Sequence, residues 1–201
     1  MFVQIIKAPV SDRDACRDVL AYWKDELGAG ATGWLGTTSG ITDEGELFAA
    51  ARFESAEAAK ANSDRPEQGE FWERVEATLA GPATFYDCTD VEVRDGGGSD
   101  GAGFVQVIES RTDDPVAVKQ AMDGMDDDGP SARPDVMGSV GVTAPDGLHW
   151  EIIYFTSEAE ARVNEKKPRT PELQASMDAM MALMRDVRFL DLHEPWLYSP
   201  S

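Results

Sequence analysis

The stretch Phe2-Val3-Gln4-Ile5-Ile6 decides how this chain folds, because it recurs 102 residues later as Phe104-Val105-Gln106-Val107-Ile108. The same spacing, without a gap, pairs residues along the two halves: Gly36 with Gly138, Gly45 with Gly147, Phe53 with Phe155 and Asn62 with Asn164. A repeat of about 100 residues has the size of a domain. The sequence therefore predicts two copies of one fold.

The boundaries of the copies follow from composition. We predict a first repeat over residues 1–93, a glycine-rich linker over 94–103, and a second repeat with a C-terminal arm over 104–201. The linker contains Gly-Gly-Gly-Ser between acidic residues, a composition typical of a flexible tether. The arm, Glu194-Pro-Trp-Leu-Tyr198, is apolar and aromatic. We expect it to fold over the other repeat; the alternative is an exposed anchor for another chain.

The charge of the chain excludes several classes of partner. With 38 acidic and 18 basic residues, the formal net charge is −20. Such a surface repels nucleic-acid phosphates and anionic membranes, so we expect neither as a partner. The N-terminal segment has no basic flank and no cleavage site of the signal-peptide type, which predicts a cytoplasmic protein. The two cysteines, Cys16 and Cys88, are predicted to be buried free thiols.

Each half has the order strand, helix, strand, strand, helix, strand. In the first copy we predict a strand over 2–7, a helix over 12–27 capped by Ser11, a hairpin of strands over 34–42 and 47–53, helices after Ser55, and a closing strand over 84–91. In the second copy the last helix carries an apolar stripe of Leu173, Met177, Met180, Met181 and Met184. We interpret this methionine run as adaptable core rather than as a set of ligands.

This order of elements is that of a ferredoxin-like βαββαβ unit, with helices on one face of an antiparallel sheet. The other face also reads as apolar, so each sheet needs a second partner. We therefore predict an α+β fold in which two ferredoxin-like repeats form an intramolecular dimeric α+β barrel.

No metal site is predicted. The chain has only two histidines, and the sequence shows no cluster of histidines and carboxylates at ligand spacing. Asp126-Asp127-Asp128 lacks the alternating oxygen ligands of a calcium loop, and we interpret it as a solvated helix end.

Two segments indicate a family. They are Arg52-Phe-Glu-Ser-Ala-Glu-Ala-Ala-Lys-Ala-Asn62 and its counterpart Phe155-Thr-Ser-Glu-Ala-Glu-Ala-Arg-Val-Asn164. Together with the opening Phe-Val-Gln strand and the order of elements, they resemble the antibiotic-biosynthesis-monooxygenase-like domains of the dimeric α+β barrel superfamily, in a tandem form. The resemblance implies a ligand cavity between sheet and helices within one repeat. It also implies chemistry without a metal or another cofactor, since the helical histidine of the haem-degrading members has no counterpart here.

The resemblance points to amide and aromatic residues as the site. As catalytic candidates we name Asn62, Trp72 and Gln4. As ligand-binding candidates we name Trp34, Tyr86, Gln106, His149 and Tyr154. The small residues Ala49-Ala-Ala51 stand where the second copy has Glu151-Ile-Ile153, which leaves space for a ligand in the first copy; close packing of a neighbouring sheet is the alternative.

Structural roles compete with each of these assignments. Gln4 and Gln106 could satisfy one another across a pseudo-twofold axis. Asn62 could be a helix C-cap, since asparagine tolerates the left-handed conformation. Trp72 is offset from the apolar stripe of its helix and could be the edge of the core.

Two functions are consistent with these residues. The first is a cofactor-independent monooxygenase, or a related enzyme, acting on a small aromatic substrate in secondary metabolism. The alternative is a non-catalytic small-ligand-binding or stress-associated α+β barrel. Either function implies a small hydrophobic or aromatic partner. Because the fusion of two copies supplies the usual dimer contact, both a monomer and a homodimer are compatible with the sequence.

Overall fold

The computed structural model describes residues 1–123 and 133–200 of the chain. The predicted helix end at Asp126-Asp127-Asp128 lies outside the described residues. The chain forms two compact units, one of Met1–Val91 with Leu192–Ser201 and one of Glu92–Asp191. Within the described residues, no helix combines the length and the apolar character that crossing a membrane requires.

The first unit follows the predicted order of strands and helices. Its elements are β1 (Phe2–Pro9), α1 (Arg13–Tyr22), β2 (Trp34–Ile41), β3 (Glu46–Phe53), α2 (Ala56–Ser63), α3 (Pro66–Glu76) and β4 (Thr84–Cys88). Helix α1 is capped by Asp12 rather than by Ser11, because the Asp12 carboxylate accepts a hydrogen bond from the Ala15 amide. The helix continues into a π-helical turn, Trp23–Leu27, and a 3₁₀ turn, Gly28–Gly30.

The second half of the chain repeats this order after one additional strand. Its elements are β5 (Asp90–Arg94), β6 (Phe104–Arg111), α4 (Pro115–Asp123), β7 (Val136–Thr143), β8 (Leu148–Phe155), α5 (Glu158–Glu165), α6 (Pro171–Ala182) and β9 (Arg185–Leu192). A last short strand, β10 (Trp196–Tyr198), ends the chain. The closing strand predicted over 84–91 is two strands, β4 and β5, which belong to different sheets.

Each unit is built on a five-stranded antiparallel sheet. The strand orders are β10-β2-β3-β1-β4 in the first sheet and β5-β7-β8-β6-β9 in the second. Without its first strand, each order is that of a ferredoxin-like unit. The predicted α+β class with two ferredoxin-like repeats is confirmed.

The fifth strand of each sheet comes from the segment that follows the last strand of the other repeat. Strand β10 follows β9 in the chain but pairs with β2, with Trp196 opposite Ser39. The Ser39 hydroxyl donates to the Trp196 carbonyl across 3.1 Å. The observed division therefore differs from the predicted boundaries: residues 90–94 form a strand of the second sheet, and residues 192–201 belong to the first unit.

A glycine shapes the same point of each hairpin. The pairing of β2 with β3 shifts register between Trp34 and Gly36, and Gly36 has φ 140°. A Cβ atom there would lie 2.8 Å from the Tyr198 carbonyl oxygen. Gly138 in β7 has the same role, with φ 153°. Only glycine fits both the backbone angle and the close approach, which accounts for the repeat of this residue.

Both faces of the first sheet are buried. One face, which carries Phe2, Trp34 and Phe53, packs with residues of the helices. The other face carries fully buried side chains: Val3, Ile5, Phe48 and Ala50. Both cysteines are buried thiols that form no disulfide bond, as predicted.

The methionine stripe of α6 is only partly buried. Leu173, Met177, Met180 and Met184 are half-buried, whereas Met181 and the remaining residues of α6 are exposed. No residue of α6 is fully buried. The predicted period therefore marks the less exposed side of the helix, but the stripe lies at the edge of the core rather than inside it.

Candidate functional site

The first unit encloses a cavity of about 340 Å³ between its sheet and its helices. The walls come from β1, β2, β3 and β4 on one side, from α1, the π-helical turn, α2 and α3 on the other, and from the arm strand β10. Most of the lining is apolar and aromatic; the rings are Trp23, Trp34, Phe53, Phe71, Trp72, Phe85 and Tyr198. None of the described residues that line the cavity carries a charge, although the chain has a net charge of −20.

Strand register explains why these residues meet. Gln4 lies opposite Ala51, and Ile6 lies opposite Ala49, in the pairing of β1 with β3. Alternate residues of a strand point to the same face, so all four face the helices. The two alanines leave room that larger side chains would fill, and both line the cavity. At the same positions of the second unit stand Glu151 and Ile153.

Two tryptophans form one wall. The rings of Trp23 and Trp34 meet edge to face, with centroids 4.9 Å apart. Their indole nitrogens are satisfied by neighbours: Trp34 Nε1 donates to Thr37 Oγ1 across 3.0 Å, and Trp23 Nε1 donates to Gln68 Oε1 across 2.6 Å. The rings are therefore held in place and present apolar surface to a ligand. Trp23 was not among the residues predicted to form the site.

Trp72 and Phe85 form the opposite, more open wall. Their ring centroids lie 5.0 Å apart. The Trp72 indole nitrogen donates to the Glu76 carboxylate one helical turn away, across 3.0 Å, so it is directed along α3. Phe85 is largely exposed while lining the cavity, and so is Gly69, which indicates that the cavity opens to solvent on this side.

Asn62 places a polar group inside this apolar space. Its side chain is only 6% exposed, and its Oδ1 accepts from Arg65 Nη1 across 3.0 Å. Asn62 lies within α2 with ordinary helical geometry, and the helix is capped two residues later by Asp64. The alternative of an asparagine C-cap is therefore wrong, because Asn62 has no left-handed backbone for that role.

Gln4 reaches the cavity from the sheet. Its Nε2 donates to Asp87 Oδ1 across 2.8 Å, and the two residues are directly opposite in the pairing of β1 with β4. In the second unit Gln106 Nε2 donates to Asp191 Oδ1 across 2.9 Å. Each glutamine Nε2 therefore has an acceptor inside its own unit. A hydrogen bond between Gln4 and Gln106 is not required to satisfy either nitrogen.

Tyr86 lies on the other face of the sheet from the cavity. It is opposite Ile5 in the pairing of β1 with β4, whereas Phe85 is opposite Ile6, which lines the cavity. Because side chains alternate along a strand, only one of two consecutive residues can face the helices. The prediction of Tyr86 as a ligand contact is therefore corrected to Phe85.

The phenol of the cavity comes instead from the arm. Tyr198 lines the cavity and is opposite Thr37 in the pairing of β10 with β2. Burial raises the pKa of the Tyr198 phenol, and the nearby Asp25 carboxylate raises that pKa further. The aromatic composition of the arm indicated that it packs on the protein, but the position of Tyr198 depends on the pairing of β10 with β2.

The candidates of the second repeat do not join this cavity. His149 and Gln106 lie in the second unit, where His149 Nδ1 is 3.0 Å from Thr143 Oγ1 and His149 Nε2 is 3.7 Å from the Glu151 carboxylate. Tyr154 is fully buried and lies opposite Val105, on the other face of its sheet from Gln106. Within the described part of the chain, no group of three or more His, Cys, Asp or Glu side chains could hold a metal ion.

Comparison with known proteins connects this architecture to solved structures. No family model matches the chain, and no curated protein matches it. A proposed monooxygenase from Fusobacterium nucleatum is similar with a TM-score of 0.79 and 6% identity, over 100% of this chain and 94% of that chain. A proposed monooxygenase from Lactobacillus acidophilus is similar with a TM-score of 0.77 and 14% identity, over 98% of this chain and 95% of that chain.

A third similar structure is a ferredoxin-fold protein from Listeria monocytogenes related to antibiotic biosynthesis monooxygenases. Its TM-score is 0.50 at 12% identity, over 100% of this chain and 95% of that chain. At such identities the similarity establishes fold and not reaction. The chain has the tandem ferredoxin-like fold of antibiotic-biosynthesis-monooxygenase-like proteins.

Proposed function

We propose that the first unit binds a small aromatic molecule in its cavity and oxidises it with molecular oxygen, without a cofactor. The observation that carries this proposal is the Asn62 amide, a buried hydrogen-bond donor in a mostly apolar, aromatic-walled space. Cavities of this kind, mostly apolar with a few fixed polar groups, are typical of small-molecule sites. A volume of about 340 Å³ suits two or three fused rings.

Oxygenation without a cofactor requires that the substrate itself supply the electrons. An electron-rich aromatic that loses a proton becomes an anion able to reduce O₂. Addition of oxygen to the activated carbon gives a hydroperoxide, and loss of water from the hydroperoxide leaves a carbonyl group. The net change, a CH₂ group and O₂ to a C=O group and water, balances in atoms and electrons.

The protein contributes binding, orientation and exclusion of water to this reaction. In the proposal the Asn62 N–H stabilises the negative charge that develops on the substrate oxygen, which is worth more in a dry site than in water. Gln4 and Trp72 orient the substrate, and Trp34 forms the apolar wall. Tyr198 closes the cavity beside Thr37.

Oxygen uptake by an Asn62 variant tests this function. A panel of hydroxylated polycyclic aromatics is first screened for binding, and O₂ consumption is then measured with each binder. Asn62→Ala is expected to lower the rate of O₂ consumption by about 100- to 1,000-fold, the usual effect of removing one donor to a developing oxyanion. Asn164→Ala, at the same position of the second repeat, is the matched control and should retain the rate.

A second function, binding without catalysis, is favoured by one feature of the cavity. Its lining contains no carboxylate, histidine or lysine among the described residues that could accept the substrate proton. A non-catalytic small-ligand-binding or stress-associated protein needs no such group. Tight binding of the panel with no O₂ consumption above the uncatalysed rate would establish this function and contradict the oxygenase.

We also propose a cytoplasmic protein, monomeric or homodimeric, with no nucleic-acid or membrane partner. The support is the net charge of −20 and the presence of two complete repeats in one chain. Light scattering after gel filtration distinguishes a monomer from a homodimer.

A further inference from the structure

Three side-chain amides line the cavity, and each has one end engaged by another side chain; for Asn62 and Gln4 this outer partner does not itself line the cavity. They are Asn62 in α2, Gln68 in α3 and Gln4 in β1. An amide offers a carbonyl acceptor at one end and an NH₂ donor at the other. A partner that can only donate, or only accept, decides which end of the amide remains for a ligand. The orientation of each amide therefore follows from the chemistry of its partner and does not depend on which terminal atom is assigned as nitrogen and which as oxygen.

Asn62 presents a donor to the cavity. Its outer partner is Arg65, whose guanidinium has only N–H groups, so Asn62 must offer Oδ1 to it. Arg65 is itself held in place, because the same nitrogen donates to the Leu27 carbonyl across 3.1 Å. The Nδ2 donors of Asn62 then remain for the cavity, which Asn62 lines.

Gln68 also presents a donor. Its partner is the indole N–H of Trp23, a residue that also lines the cavity, at 2.6 Å, and an indole nitrogen cannot accept a hydrogen bond. Gln68 must therefore offer Oε1 to Trp23, and its Nε2 donors remain for the cavity. Trp23 is fixed in turn by its edge-to-face contact with Trp34.

Gln4 presents the opposite group. Its outer partner is the Asp87 carboxylate, which has only acceptors when ionised, so Gln4 must offer Nε2 to it. Its Oε1 acceptor then remains for the cavity. The cavity consequently has donors on its helical side, at Asn62 and Gln68, and an acceptor on its sheet side, at Gln4.

We infer that the cavity selects uncharged molecules that carry a hydrogen-bond acceptor, such as a ketone, at one end and a hydroxyl donor at the other. The ketone faces the helical amides and the hydroxyl faces Gln4 on β1. The uncharged lining disfavours an ionised ligand, because burying an unpaired charge is costly. Arg65 and Asp87 act as positioning residues that set this polarity without touching the ligand. The inference rests on the proposed function, in which the cavity binds a small aromatic.

Three probes with one bicyclic skeleton test the polarity. They are 6-hydroxy-1-tetralone, with an acceptor and a donor, 6-methoxy-1-tetralone, with acceptors only, and 5,6,7,8-tetrahydro-2-naphthol, whose polar group is a single hydroxyl. Affinities are measured by calorimetry at a pH at which the phenols are un-ionised. The hydroxyketone is expected to bind about three- to tenfold more tightly than either of the others, the effect of one neutral hydrogen bond.

Substitutions of the positioning residues separate polarity from packing. Asp87→Asn can donate as well as accept, so Gln4 becomes free to turn its NH₂ group inward. The preference for the hydroxyketone over the methoxyketone is then expected to disappear. Asp87→Glu keeps a carboxylate and is the matched control, which should retain the preference. Asp87 is exposed, so these changes leave the core intact.

The same design applies to the helical side. Arg65→Gln can accept as well as donate, and is expected to reduce the preference for the hydroxyketone over tetrahydronaphthol, whereas Arg65→Lys, still only a donor, should preserve it. Equal affinity of the wild type for all three probes would overturn the polarity alone. The polarity would likewise be overturned if Asp87→Asn and Arg65→Gln both kept the wild-type preference for the hydroxyketone. Failure of every probe to bind would instead overturn the proposed aromatic-binding function on which the polarity rests.

Discussion

At the scale of single residues, the cavity depends on two small side chains in the sheet. Ala49 and Ala51 line it from β3, and the second repeat carries Glu151 and Ile153 in their place. A methyl group at these positions leaves a volume that a ligand can occupy, because well-packed interiors otherwise have few voids. The side chains at these two positions thus distinguish the first repeat from the second.

Filling this space should abolish binding without unfolding the protein. Ala51→Ile introduces the residue that the second repeat has at this position, and it projects into an empty volume rather than into packed core. We expect affinity for a bicyclic ketone to fall at least about tenfold, with a small change in the free energy of unfolding. Calorimetry and urea titration measure the two quantities. An unchanged affinity would place the ligand elsewhere.

Tyr198 provides a pH-dependent signature of the cavity. Burial raises the pKa of its phenol above the ordinary tyrosine value, so the folded protein favours the neutral form. The stability gained from that neutral phenol is fully present below the unfolded pKa of tyrosine and is lost as the pH rises through the folded pKa. The difference in ultraviolet absorbance between the wild type and Tyr198→Phe should therefore titrate above the range of free tyrosine. A difference spectrum that titrates with free tyrosine would contradict the burial.

At the scale of elements, the alternation of side chains along a strand decides which of two consecutive residues faces the cavity. The register of β1 with β4 sends Phe85 to the cavity and Tyr86 to the opposite face. Alternation was visible in the sequence, but its phase was not, since both residues are aromatic and fit either face. One position of register reverses the side on which every residue of a strand lies.

Substitution of two glycines by alanine distinguishes the effect of helix propensity from the effect of backbone strain on stability. Gly69 lies inside α3, and Gly45 lies in the turn between β2 and β3 with φ 77°. A Cβ atom added at either glycine would meet no described atom within 4 Å beyond its own chain neighbours. Gly69→Ala should stabilise the protein by about 0.5–1 kcal/mol, because alanine loses less entropy in a helix. Gly45→Ala should destabilise it by about 1–2 kcal/mol, because alanine is strained at positive φ. Chemical denaturation measures both, and equal signs would contradict this account.

At the scale of the whole molecule, each sheet is completed by a strand from beyond the other repeat. Strand β10 supplies Trp196 and Tyr198 to the first unit, and Trp196 packs with Cys16, Ile41, Leu47 and Ala49. The cavity therefore requires the last residues of the chain, although its other described lining residues all lie within the first 85 residues. Duplication makes this possible because the second repeat carries the arm.

Weakening the arm should affect the first unit at a distance in sequence. Trp196→Ala removes a buried tryptophan and is expected to cost about 3–5 kcal/mol of stability. Hydrogen exchange should accelerate at β2, the strand with which β10 pairs, and ligand affinity should fall. Val116→Ala, at an exposed position of the second unit, is the control and should change little. Unaltered exchange in β2 would show that the arm does not support the first sheet.

The sequence by itself determined the duplication, the βαββαβ order and the candidate amides Gln4 and Asn62, because periodicity, turns and a repeat are local signals. The tertiary structure decided which residues these amides meet. Asp87 is 83 positions from Gln4 in the chain, and the pairing of β1 with β4 places them side by side. Tyr198 reaches the cavity only because β10 pairs with β2. Strand pairing between distant segments is governed by the packing of the complete fold, so it leaves no local pattern from which to predict it.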